Sequence, residues 1–301
     1  MNRLPNFMVI GAMKSATTTL HAQLARQPGI FMTTPKEPNF FSDDDVYARG
    51  IGWYRELFAG AGDAALRGES STHYTKLPTY PRTLERISKH LIHPKLIYVM
   101  RHPVDRLVSH YVHEWSEGRI AVPIDEAAEL HPELVDYGRY AMQLRPYLEA
   151  FGPGSVLPVF FDRLRVTPQA ELARVCAFLG YRGEPRWHEE VARENASSER
   201  LKKSRMRDKI VKPPLLRALR RQLVPKAVRA RVQGLWRMKE RPELSAARRV
   251  WLAQRFDADL AELGGWLGIE LSCESFVAVT TERPLAWSAA APRPATERPN
   301  A

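Results

Sequence analysis

The sequence predicts an α/β fold in three layers, a central parallel sheet flanked by helices, and three observations carry that prediction. Short apolar runs alternate with longer amphipathic ones along most of the chain, the order that builds strand–helix–strand units. Two of the short runs, 6–11 and 95–100, end at a turn that carries a basic residue and opens a helix. Both turns therefore lie where open α/β sheets bind ligands, at the carboxyl ends of parallel strands.

The first run, Phe7 to Ile10, reads as a buried strand over 6–11, and a helix is expected over 16–27. Between them Gly11 leads into Ala12-Met13-Lys14-Ser15-Ala16-Thr17-Thr18-Thr19. A strand, a turn with a lysine and a hydroxyl-rich helix start suit a phosphate. The first N–H groups of a helix have no carbonyl to bond, the helix dipole favours an anion there, and Lys14 adds a full charge. The nucleotide-binding pattern Gly-x-x-x-x-Gly-Lys-Ser/Thr is not matched. Counted from Gly11, its second glycine falls at Ala16, and Lys14 comes two residues too early. Thr17 to Thr19 read as phosphate ligands and leave no counterpart for the magnesium-binding hydroxyl, which disfavours an NTPase. Alanine at position 16 is comfortable with a negative φ, whereas a left-handed φ costs it on the order of 1 kcal/mol or more.

A loop containing Glu37 follows, then a helix over 50–58, a strand over 65–70 and a helix over 80–90. The strand at 95–100 delivers Arg101, and Pro103 suits the first turn of a helix over 103–117 that carries Ser109. A helix over 138–150, a strand over 155–161 and a helix over 168–180 complete the alternating part. A basic loop and two or three helices then run to about 268. One domain is expected over 1–278, and the Pro/Ala-rich residues 279–301 are expected to be a disordered tail.

The run Gly-Ala-Met-Lys-Ser-Ala-Thr-Thr-Thr-Leu resembles the 5′-phosphosulfate loop of sulfotransferases that use 3′-phosphoadenosine 5′-phosphosulfate (PAPS), in particular the carbohydrate and heparan type and their bacterial relatives. Arg101-His-Pro-Val-Asp-Arg-Leu-Val-Ser109 is similar to that family's 3′-phosphate element. Pro35-Lys36-Glu37-Pro38-Asn39-Phe40-Phe41 resembles a third element whose glutamate deprotonates the acceptor. The resemblance continues through Gly52-Trp53-Tyr54 and Gly68-Glu69 to Tyr74 and covers most of 6–275, with Ser70 where relatives carry a lysine and Asn39 where some carry a histidine. It implies a P-loop-like fold and PAPS as co-substrate without a metal. Lys14 would stabilise the leaving phosphate oxygen, and Ser15, Ala16 and Thr17 to Thr19 would hold the 5′-phosphate. Arg101 and Ser109 would grip the 3′-phosphate, Lys202 or Lys203 would close over it, and Glu37 would be the base. The acceptor implied is a hydroxyl or amine of a carbohydrate, glycolipid or secondary metabolite. The alternatives are a P-loop kinase or NTPase, or a basic nucleic-acid- or membrane-surface-binding module with a degenerate nucleotide site.

Among 301 residues the net charge is +11, concentrated in 200–249. That segment holds 18 Lys or Arg against three acidic residues and leaves the rest of the chain at −4. It offers a basic face to an anionic acceptor or a membrane surface, or is simply a solvated helical face; it lacks the aromatic interleaving of a nucleic-acid site, so no nucleic acid is expected. No apolar run reaches the ~18–20 residues of a membrane span, and two cysteines suit a reducing compartment, so a cytoplasmic enzyme is expected. Of the histidines, His102, His110 and His113 are the densest group and read as helix-surface or core residues, while His73 is a candidate for the acceptor pocket.

Overall fold

The computed structural model describes residues 4–190 and 241–295. Five parallel strands form one sheet in the order β2-β3-β1-β4-β5. They are β1 (Phe7–Gly11), β2 (Ile30–Met32), β3 (Leu66–Ser70), β4 (Lys95–Met100) and β5 (Val156–Phe160). Both faces are covered, so the strands are apolar on both sides. Phe7, Val9, Ile97, Val99 and Val159 face one way and pack on α1 (Thr17–Ala25) and α10 (Pro168–Leu179). Met8, Ile10, Leu96, Tyr98, Met100 and Phe160 face the other core. That core is closed by α4 (Thr83–His90), α5 (Pro103–Ser116), α8 (Tyr140–Phe151) and α11 (Ala246–Leu267).

The central position of β1 depends on two close approaches. A Cβ at Gly68 would lie 2.1 Å from the Phe7 ring, and one at Gly11 would lie 2.1 Å from Thr75 Oγ1. The two helices that bracket the second core are joined by a buried carboxylate. Asp259 of α11 accepts from Ala141 N at 2.9 Å and Met142 N at 3.0 Å, capping the first turn of α8.

The expected strands and the main helices are present, with shorter elements between them: α2 (Asp44–Tyr47), α3 (Gly50–Glu56), α6 (Ile124–Leu130), α7 (Glu133–Asp136) and α9 (Phe161–Val166). Edge strand β2 was not expected, because three residues are too few to show a period. A tail beginning at 279 requires correction. Position 278 falls inside α12 (Phe276–Glu282), and the chain beyond it packs down. Arg163 Nη1 donates to Thr281 O at 3.0 Å, Arg174 Nη1 to Leu285 O at 3.3 Å, and Trp287 Nε1 to Val156 O at 2.6 Å. Leu285 and Ala291 are buried. The apolar residues spaced among the prolines supply the anchors that composition alone hides. Most of the basic segment, including Lys202 and Lys203, lies outside the described residues. Three of its arginines are engaged within the chain: Arg248 with Glu129 at 2.7 Å, Arg241 with Asp105 at 3.7 Å and Arg249 with Leu244 O at 3.3 Å.

Candidate active site

Because β1 and β4 are neighbours, the turns that leave their carboxyl ends lie side by side. Arg101 Nη1 donates to Lys14 O at 3.3 Å and joins the two turns directly. Tyr140 of α8 braces the second turn, its hydroxyl accepting from Arg101 N at 3.2 Å and donating to Arg101 O. The guanidinium lies 4.6 Å over the Phe161 ring, its Nε is buried without a partner, and burial lowers its pKa. A half-buried cation with a buried, unused donor is suited to an incoming oxyanion.

A cavity of about 910 Å³ opens at this edge of the sheet. Lys14, Ala16, Thr17, Thr18, Thr19, Glu37, Arg101 and Ser109 all lie on its wall. Ser15 does not: it is fully buried, between Lys14 (φ 70°) and Ala16 (φ 63°). The two left-handed residues turn it into the protein, where its hydroxyl is buried without a hydrogen-bond partner among the described residues. Ala16 precedes the helix without a side-chain cap and adopts the strained φ that the sequence left open.

Glu37 reaches the opposite wall through a loop anchored at both ends. Phe40 and Phe41 are fully buried, Phe40 stacking on Tyr54 with ring centroids 4.5 Å apart. Glu37 N donates to Ser70 O at 2.9 Å and Asn39 N to Ser71 Oγ at 3.1 Å, tying the loop to the end of β3. Behind this junction the buried Glu69 carboxylate accepts from Tyr74 at 2.6 Å, Ser71 at 2.7 Å and Tyr54 at 2.9 Å. Burial pushes the Glu69 pKa up, while these three donors oppose it. Glu37 itself has φ 60° and accepts from Lys36 Nζ at 2.5 Å and Thr72 Oγ1 at 3.2 Å. Burial would raise its pKa, but Lys36, Lys76 and His73 outweigh it and hold the carboxyl below its ordinary value. Glu37 is therefore a carboxylate at neutral pH, able to accept a proton but held near other groups that favour its charge.

The sequence did not single out Thr72, Lys76, Phe161 or Trp187, which also line the cavity. They belong to no pattern, and Lys76 arrives only because the chain turns tightly after β3. His73 is on the wall as expected, paired with Asp43 at 3.0 Å and stacked on Tyr80. His113 is there too, its pKa lowered to about 4 by burial and by Lys14, so it is neutral at physiological pH. His102 bonds Cys273 O and His110 stacks on Tyr137, so the three histidines do not converge.

The model of the family described as "Sulfotransferase domain" matches residues 4–264. Mouse heparan sulfate glucosamine 3-O-sulfotransferase 3B1 is 34% identical over 188 residues, covering 59% of this chain and 46% of the relative. Mouse bifunctional heparan sulfate N-deacetylase/N-sulfotransferase 2 is 29% identical over 199 residues, covering 60% of this chain and 22% of the relative. The chain thus spans less than half the length of these curated relatives. Among solved structures, a sulfotransferase from Alicyclobacillus acidocaldarius superposes with a TM-score of 0.63 at 23% identity, covering 89% of this chain and 97% of that one. That likeness establishes the shared fold.

Proposed function

The chain belongs to the sulfotransferase domain family, and on that premise we propose that it transfers a sulfuryl group from PAPS to a hydroxyl of a carbohydrate acceptor. The observation that carries the reading is the placement of Lys14, Arg101 and Glu37 on one cavity: two phosphate-suited turns from adjacent strands, facing a carboxylate.

PAPS supplies an activated sulfuryl group on a 5′-phosphate and a second phosphate at the 3′ position. The residues present fit both. The first turn of α1, with Thr17 to Thr19, takes the 5′-phosphate at the positive end of the helix. Arg101, with its unused buried donor, and Ser109 take the 3′-phosphate. Phe161, Leu164 and Trp187 give the same wall an apolar stretch suited to a purine. Lys14 holds positive charge against the phosphate oxygen as its bond to sulfur breaks. Glu37 takes the acceptor's proton as the acceptor oxygen bonds to sulfur. Lys202 and Lys203 remain part of the proposal as further cations for the 3′-phosphate. The two cysteines, both unpaired, support a cytoplasmic setting.

The test is turnover. The enzyme, PAPS and a panel of mono- and disaccharides should release adenosine 3′,5′-bisphosphate and yield a sugar heavier by one sulfuryl group. Bisphosphate release that depends on no acceptor, or none at all, would count against the reading.

A further inference from the structure

The Glu37 side of the cavity contains a cation that has no hydrogen-bond or ion-pair partner among the described residues. After β3 the chain runs through a 3-10 turn, Thr72–Thr75, and reaches Lys76. Gln143 of α8 clamps the next residue from both sides, accepting from Leu77 N at 2.8 Å and donating to Leu77 O at 2.9 Å. The backbone at Lys76 is therefore fixed. Its side chain is 8% exposed and lines the cavity beside Glu37, Thr72 and His73.

Three other basic groups of this region are matched: Lys36 with Glu37, His73 with Asp43, and Arg119 with Glu114 at 2.9 Å. Among the described residues no hydrogen bond or ion pair reaches the Lys76 ammonium. The ammonium lies 5.5 Å from the centroid of the Tyr137 ring. An ammonium taken out of water without an acceptor loses its hydration and gains little in return. Burial pulls its pKa down to about 8, with the charges of Glu37 and Glu114 opposing the fall. An anionic oxygen arriving from the cavity would complete what the fold leaves open.

We propose that Lys76 is a specificity-determining residue of the acceptor half, binding a carboxylate of a saccharide acceptor beside the hydroxyl that Glu37 deprotonates. This rests on the sulfotransferase reading and goes one step further, from a carbohydrate to an acidic one. Glu37, itself an anion, cannot serve as the ligand for that carboxylate, whereas the Lys76 ammonium on the same cavity can. A matched uncharged sugar would leave the ammonium as it is in the empty pocket.

The experiment uses the full chain saturated with adenosine 3′,5′-bisphosphate, titrated calorimetrically with methyl β-D-glucuronide and, separately, methyl β-D-glucoside. The wild type should bind the glucuronide about tenfold or more tightly than the glucoside, the size of one charge-assisted hydrogen bond. Lys76→Met should erase that preference and Lys76→Arg should keep most of it. Bisphosphate affinity in each variant reports that the fold is intact. Equal affinity for the two glycosides, binding of neither, or a preference that survives Lys76→Met overturns the proposal. Failure of the wild type to bind the bisphosphate would instead bring down the donor reading, and this inference with it.

Discussion

Glu37 and Ala16 both adopt left-handed backbone, and they test different parts of the account. Glu37→Gln keeps the shape and hydrogen-bonding capacity but removes the base. It should lower turnover by about 10²- to 10⁴-fold while the affinity for adenosine 3′,5′-bisphosphate stays close to that of the wild type. Equal loss of both would mean Glu37 is part of the donor site. The charge on Glu37 also fixes a pH dependence. Its carboxyl is held below the ordinary value, so the base form persists through neutral pH and is lost only as pH falls through that lowered pKa. Lys36→Met removes one of the charges that lower it, so the acid limb of kcat should move to higher pH; an unmoved limb would assign that limb to another group. At position 16 the expected gain runs the other way. Ala16→Gly relieves a strained φ with little to lose in packing, and should stabilise the protein by about 0.5–1 kcal/mol, read as a rise in Tm. Arg101 was legible in the sequence because it ends an apolar run, whereas Glu37 was singled out only through the resemblance of its motif. The inward turn of Ser15 was not legible, because it depends on two backbone angles that no side chain announces.

The element that matters most to the site is the loop between β2 and α2, which carries the base on no regular structure of its own. It is held by Phe40 and Phe41 in the core and by the hydroxyl network on Glu69 beneath the end of β3. Glu69→Ala would leave the hydroxyls of Tyr54, Ser71 and Tyr74 without their acceptor. It should cost about 3 kcal/mol or more in an unfolding titration and lower turnover through a loosened Glu37 loop. A variant of full stability would show that the hydroxyls re-pair and that the network is dispensable. At this scale the long amphipathic helices and the apolar strands were readable from period alone. Strand β2 and helices α6 and α7 were not, since three or four residues, or a stretch broken by His131-Pro132, give no period to read.

At the scale of the molecule, the strand order explains why two motifs ninety residues apart act together: β1 and β4 are adjacent, so their turns meet at one sheet edge. The three-layer arrangement followed from the alternation of elements, but the strand order did not, because it is set by pairing across the chain. The packing of 283–291 was hidden for a similar reason, composition having no knowledge of the groove that Trp287, Leu285 and Ala291 fill. A chain ended after Glu282 should lose about 2–4 kcal/mol of stability from this lost burial, and an unchanged Tm would return the segment to the status of a tail. The central claim is that the cavity is built for the donor. Its most direct test is thermal unfolding of the purified protein with adenosine 3′,5′-bisphosphate and, in parallel, with Mg-ATP. At about a hundred times its Kd the bisphosphate should add about 2.7 kcal/mol and raise Tm clearly, with the rise diminished in Arg101→Ala. Stabilisation by Mg-ATP and not by the bisphosphate would contradict the account.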